Sequence, residues 1–255
     1  MPFVSFVPQE REAVHFGGGL GNDGRRMHST TLVLFDIDGT LIQSGRAGVR
    51  GMNRAFDALY GQPRALDGVP IAGRCDRVIV LDAMRRFGLE PTDDEILRFR
   101  DAYFAALAEE IGRKVDLPSG VLPGVLDLLT ALETREDVVV ALLTGNFAGG
   151  ARIKLGHFGL WPRFRFGAFG DDHVDRRELM PVALTLARAE GLAIDDHRRV
   201  VVIGDTPLDV DCAHAHGARA LAVATGNYDE AALRATGANL VLRTLEPTGE
   251  IVAWL

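Results

Sequence analysis

Leu32-Val33-Leu34-Phe35-Asp36-Ile37-Asp38-Gly39-Thr40 joins an unbroken apolar run to two carboxylates spaced two residues apart. Like charges that close repel. Desolvating them at the end of a buried strand is expensive unless a cation or a substrate group compensates. A strand that stops in D-x-D-G-T therefore predicts a site for a metal and a phosphoryl group. A solvated turn after an edge strand would call for no more than a lone Asp-Gly.

Outward from this stretch, short β-branched runs alternate with helical segments. Thr31 to Asp36, Val138 to Leu143, Val200 to Gly204, Ala220 to Ala224 and Leu240 to Leu242 read as buried strands, with a weaker one in Arg163 to Phe169. None alternates apolar with polar residues, so an α/β chain with a parallel sheet covered on both faces is expected. Between the first two strands lie about a hundred residues with helical periodicity instead. Ala47 to Tyr60 puts Val49, Met52, Phe56 and Leu59 on one face, and Asp76 to Phe87 does the same with Val80, Ala83, Met84 and Phe87. Thr92-Asp93-Asp94-Glu95 is a capping box that opens a third helix, with Ile96, Phe99, Tyr103 and Leu107 inward. So large an insert exceeds an ordinary crossover and predicts a small helical cap domain over 44–120. Hinges fall near residues 41–44 and 117–122, with the core in 29–43 and 121–255. Residues 1–28 read as a flexible N-terminal extension, or as sequence ahead of an alternative start at Met27, because Gly17-Gly18-Gly19 and Gly21-Asn22-Asp23-Gly24 carry flexible turn chemistry; with no strand before them they do not make a dinucleotide loop.

Composition narrows the partners. The chain has 255 residues, 47% of them hydrophobic, and a formal net charge of −7. That charge argues against a nucleic acid, which needs a basic face. No run of about eighteen apolar residues points to a membrane. Cys75 and Cys212 are the only cysteines, which implies no disulfide framework and fits a reducing, cytoplasmic setting.

In an open parallel sheet, ligands gather at the carboxyl ends of the strands. Three strands here end in suitable chemistry: Asp36 and Asp38, then Thr144-Gly145-Asn146, then Gly204-Asp205-Thr206-Pro207-Leu208-Asp209. With D-I-D-G-T, L-L-T-G-N, a basic residue before the last motif and G-D-T-P-L-D in this order, the chain resembles the haloacid dehalogenase superfamily over about residues 30–245. The branch it resembles carries a helical cap after the first motif, and Ala72-Gly73-Arg74-x-Asp76 is similar to caps of phosphoglycolate-phosphatase-like members.

The resemblance implies a Rossmann-like core and a Mg²⁺-dependent phosphatase that acts on a small phosphorylated metabolite. Asp36 would be the nucleophile that becomes an aspartyl phosphate. Asp38 would protonate the leaving oxygen and later deprotonate water. Asp36, the backbone carbonyl of Asp38, and Asp205 would hold Mg²⁺, with Asp209 behind them. Thr144 and the amides of Gly145 and Asn146 would hold the phosphoryl group on one side. The superfamily's usual Lys on the other side is absent from Asp175-Arg176-Arg177-Glu178-Leu179-Met180-Pro181; counting back from Pro181, Arg176 matches best and Arg177 is the fallback. Lys154 is read first as a surface or structural salt-bridge residue. Arg74, at the start of the second cap helix, is a candidate specificity residue, with a salt bridge to a core acid as its structural alternative.

Other signals carry less. Cys212, His214 and His216 look like metal ligands, but two residues apart on a helix the histidines point about 200° from each other. Asp38 and Asp205 argue against a dehalogenase, and the cap's single lysine, Lys114, argues against a phosphonatase. A phosphoacceptor module would need neither the insert nor Asp38. A sugar phosphomutase would keep every core residue and remains the alternative.

Overall fold

The computed structural model describes residues 30–194 and 196–255. The N-terminal extension expected over 1–28 lies outside the described residues. Strand β1 (Thr31–Phe35) runs into a short β2 (Ile42–Ser44), and then come three helices, α1 (Ala47–Tyr60), α2 (Asp76–Arg86) and α3 (Asp93–Glu110). The chain returns through β3 (Ser119–Val121) and α4 (Val125–Glu133) to β4 (Val138–Thr144), α5 (Ala148–His157) and β5 (Gly167–Phe169). It closes with α6 (Leu179–Ala189), β6 (Val200–Gly204), α7 (Pro207–His214), β7 (Arg219–Val223), α8 (Glu230–Ala235), β8 (Leu240–Leu242) and α9 (Thr248–Trp254).

Six strands form one parallel sheet in the order β5-β4-β1-β6-β7-β8. β1 is central, pairing Phe35 with Leu142 on one side and with Ile203 on the other. Its side chains alternate between two apolar layers. Leu32 and Leu34 face Leu179, Met180 and Val210 from α6 and α7, while Val33 and Phe35 face Leu128, Leu129 and Ile251 from α4 and α9. A strand buried on both faces has no polar position to alternate with, which is why the run reads as continuous apolar sequence. The order changes direction at β1, where β4 and β6 both adjoin it. Crossovers there leave toward opposite faces, and a crevice opens at the carboxyl ends of the strands.

The inserted helices pack around Phe56, Phe99 and Tyr103, with the rings of Phe56 and Phe99 4.6 Å apart. Where the insert leaves and rejoins the sheet, β2 and β3 pair as an antiparallel ribbon, Gln43 opposite Gly120. Two local expectations change. Thr92 accepts a hydrogen bond from Glu95 N at 3.3 Å, but the returning arm of the capping box does not form, because the Glu95 carboxylate takes Tyr60 Oη at 2.6 Å. In Arg163 to Phe169 only the last three residues are strand: Phe164 and Phe166 enter opposite apolar layers, whereas residues two apart on a regular strand share a face.

Phe35 is fully buried and meets Phe164 edge-on at 6.1 Å. Phe35→Ala is expected to cost about 3–5 kcal/mol in urea unfolding; a loss under about 1 kcal/mol would mean that β1 is not the packing centre.

Candidate active site

β1 ends one residue before Asp36, whose amide donates to Ile203 O of β6 at 2.9 Å and so aims the side chain past the strand end. Asp36, Asp205 and Asp209 are all buried, and each offers an oxygen within 4.8 Å of the others. Gly39 and Gly226 close over this cluster. A Cβ on Gly39, at φ +84°, would lie 2.5 Å from Asp205 Oδ2, and one on Gly226 would lie 1.7 Å from it. Thr40 Oγ1 donates to Asp205 Oδ1 at 3.4 Å. Asp209 serves two neighbours: its Oδ2 accepts from Thr206 N and Thr206 Oγ1, capping α7, and its Oδ1 takes the Arg176 guanidinium.

Of the two arginines, Arg176 is the one in the crevice. Its Nη2 is 3.1 Å from Asp36 Oδ1 and also bonds Asp209, and Nη1 donates to Gly73 O of the insert at 3.0 Å. Arg177 is half-exposed and pairs with Asp175. One guanidinium does not balance the acids. Burial pushes the Asp36 carboxyl up to about 6 against the pull of Arg176. It pushes Asp205 up to about 8, with Asp209 and Asp36 adding repulsion.

Asp38 is absent from that cluster. Its Oδ2 takes Lys154 Nζ at 2.5 Å and Asn146 Nδ2 at 3.0 Å, while Ser44 Oγ donates to Oδ1 at 3.4 Å. Asn146 is itself held, donating to Thr144 Oγ1 at 2.8 Å and accepting from Lys154 Nζ at 2.6 Å. The fully buried Thr144 hydroxyl pulls the Asp36 carboxyl down, against the larger effect of burial. Lys154, read from the sequence as surface or structural, is buried and contacts Asp38 directly. Burial alone would lower its pKa, but Asp38, Asp76 and Asp36 outweigh that and raise it. Its signal in the sequence was position: α5 begins just beyond Thr144-Gly145-Asn146, and Lys154 is two turns along the face that returns to β1.

The insert roofs this arrangement. A Cβ on Gly145 would fall 2.3 Å from Arg74 O, and Asp76 N donates to Gly145 O at 2.7 Å. Phe147 N donates to Asp76 Oδ2 at 2.9 Å. Arg74 lines the resulting cavity of about 470 Å³, but its guanidinium is taken by Asp82 at 2.7 Å and Pro70 O at 2.8 Å. Its salt bridge thus lies within the insert and involves no core acid. Cys212, His214 and His216 turn to separate partners: Cys212 is buried, His214 meets Asn239, and His216 Nε2 donates to Arg177 O. Cys75 is buried too, and burial pushes its thiol up to about 11.

Residues 33–214 match the family model of the haloacid dehalogenase-like hydrolases. The chain belongs to this family. Over 203 residues it is 30% identical to the tyrosine-protein kinase PtkA of Mycobacterium tuberculosis, covering 78% of this chain and 63% of that protein's length. It is also 30% identical over 216 residues to phosphoglycolate phosphatase 1 of Pseudomonas aeruginosa, covering 76% of this chain and 70% of that one. A solved hydrolase from Pseudomonas syringae shares the fold with a TM-score of 0.61 at 23% identity, covering 89% of this chain and 99% of that one. For a haloacid dehalogenase-like hydrolase the acidic cluster fits a hard divalent cation. Its donors are oxygen only, they converge, and their burial leaves negative charge that Arg176 alone does not offset.

Asp76 lends itself to a test at the closure of the cavity. Burial raises its carboxyl to about 7, while Lys154 and the Phe147 amide pull it down. An acid raised on folding binds its proton more tightly when folded, so its ionisation erodes stability from about pH 4 upward and the loss is complete above its folded value. Asp76→Asn keeps an acceptor for Phe147 N and never ionises. Its stability relative to the parent should rise by on the order of 2 kcal/mol between pH 4 and pH 8 in urea unfolding. A pH-independent difference would mean that Asp76 stays unperturbed.

Proposed function

We propose that this protein is a Mg²⁺-dependent phosphatase of a small soluble phosphomonoester, phosphoglycolate-like or a sugar phosphate. One observation carries the reading: two carboxylates from a single strand end are sorted into different environments. Asp36 lies in the acidic cluster beside Arg176, and Asp38 lies outside it, on Lys154 and Asn146. Two carboxylates in contrasting surroundings are what a nucleophile and an acid–base partner require.

Asp36 attacks phosphorus, forming an acyl phosphate as the bond from phosphorus to the ester oxygen breaks. Asp38 gives its proton to that departing oxygen. Water then attacks the acyl phosphate, Asp38 takes a proton from it, and Asp36 is regenerated with release of inorganic phosphate. Asp36, the Asp38 backbone carbonyl and Asp205 would hold Mg²⁺, which supplies charge neutralisation for the phosphoryl oxygens. Thr144 and the amides of Gly145 and Asn146 take the phosphoryl group from one side and Arg176 from the other, since phosphoryl transfer depends mainly on positioning and charge. Arg176 also holds Gly73 O, so the residue assigned to the phosphoryl group senses the docked insert.

The named relatives include a phosphatase of a small acid and a protein kinase. A cavity of about 470 Å³ roofed by the 71–76 segment favours the small ester over a polypeptide hydroxyl as the partner. Among the described residues no helix is long and apolar enough to cross a membrane.

Inorganic phosphate released from a panel of phosphomonoesters should require Mg²⁺ and stop in EDTA. Asp36→Asn should lower turnover by at least about 10³-fold while the protein still binds its substrate. Undiminished release by Asp36→Asn would remove Asp36 as nucleophile. Absence of release from every ester would remove the phosphatase.

A further inference from the structure

Among the described residues four cations line the cavity, Arg46, Arg74, Lys154 and Arg176. Three of them are occupied. Arg176 meets Asp36 and Asp209, Lys154 meets Asp38, and Arg74 meets Asp82. Arg46 is exposed, and among the described residues its guanidinium has neither an ion pair nor a hydrogen bond. Its backbone is unusual as well. Among the described residues Arg46 is the one non-glycine with a positive φ, at φ +61° and ψ +28°. That left-handed conformation is unfavourable for a residue with a Cβ, whereas glycine adopts it freely. The turn is nevertheless held from several sides. Gly45 N donates to Pro118 O at 3.0 Å, Gly45 O accepts from Arg50 Nη1, and the buried Glu110 anchors Arg50 at 2.6 Å. A strained residue persists where its surroundings fix it, and such residues gather at ligand clamps.

We propose that Arg46 is a specificity-determining residue that receives a second oxyanion, a carboxylate or a phosphate, on the leaving group. This rests on the phosphatase reading above. The groups assigned to the transferring phosphoryl, Thr144, the Gly145 and Asn146 amides and Arg176, all come from the core. Arg46 instead opens α1 of the insert, so the part of the substrate left for it is the leaving group. It stands two residues beyond Ser44, whose Oγ donates to Asp38 Oδ1 at 3.4 Å. Two residues span at most about 7 Å, which suits a leaving group of a few carbons. A planar guanidinium fork fits a carboxylate or a phosphate through two parallel hydrogen bonds. Arg74, the specificity residue expected from the sequence, is spent on Asp82, and Arg46 is the cavity arginine that keeps its charge available.

Phosphate esters with two-, three- and four-carbon leaving groups test this, each ending in a hydroxyl, a carboxylate or a second phosphate, compared by kcat/KM in Mg²⁺. At the best length the parent should favour an anionic end over the hydroxyl by at least about fivefold. Arg46→Gly removes the guanidinium and suits the left-handed backbone, so folding is not at stake. It should bring that ratio to about one, through KM more than through kcat. A parent ratio near one at every length, or a ratio unchanged in Arg46→Gly, overturns the role of Arg46 while leaving the phosphatase standing. No phosphate from any of these esters, nor from p-nitrophenyl phosphate, sinks the phosphatase reading and the role of Arg46 with it.

Discussion

Buried negative charge organises this molecule. Asp36, Asp205 and Asp209 are forced together at the carboxyl ends of β1 and β6, and Asp38 and Asp76 stand a short distance away. Two buried cations face them, Arg176 among the first group and Lys154 among the second. Buried charges persist only where they are paired and hydrogen-bonded, and even then pairing recovers only part of the cost of removing them from water. Here the pairing is incomplete, so Asp36, Asp76 and Asp205 are all displaced upward. Such a site is tolerated by a fold whose two apolar layers hold β1 from both sides.

The same charges attach the insert to the core. Arg176 reaches Gly73 O, Asp76 accepts from Phe147 N at the start of α5, and Arg100 of α3 meets Asp171 at 3.3 Å. Each contact joins a residue of the insert to a segment that also carries a site residue. Where backbones meet, Gly73 and Gly145 omit the side chains that would separate them: a Cβ on Gly73 would lie 2.4 Å from Thr206 Oγ1. The contacts that roof the cavity and those that arrange its charges thus share residues, Arg176 and Asp76.

Much of this was legible along the chain. The central strand, its neighbours and the inserted helices all follow from periodicity, because a strand covered on both faces is apolar throughout and a packed helix is apolar on one side. The carboxylates and the Thr144-Gly145-Asn146 turn were legible as well, because each motif sits directly after an apolar run. Lys154 was not. It lies inside a helix of low amphipathicity, and its role follows only from α5 crossing back over the end of β1. The capping box at Thr92 and the strand in Arg163 to Phe169 formed in part, since Tyr60 claimed Glu95 and the two layers claimed Phe164 and Phe166.

By itself, then, the sequence determined the order of elements, the strand ends at which chemistry collects, and the residue types available there, all properties of local periodicity and adjacency. Only the tertiary structure decided which carboxylates share a cluster, which of Arg176 and Arg177 enters it, and that Arg74 is spent on Asp82. Those pairings join residues as far apart in sequence as Asp36 and Asp209, and Coulomb energy and desolvation depend on distance through space, to which spacing along the chain is blind.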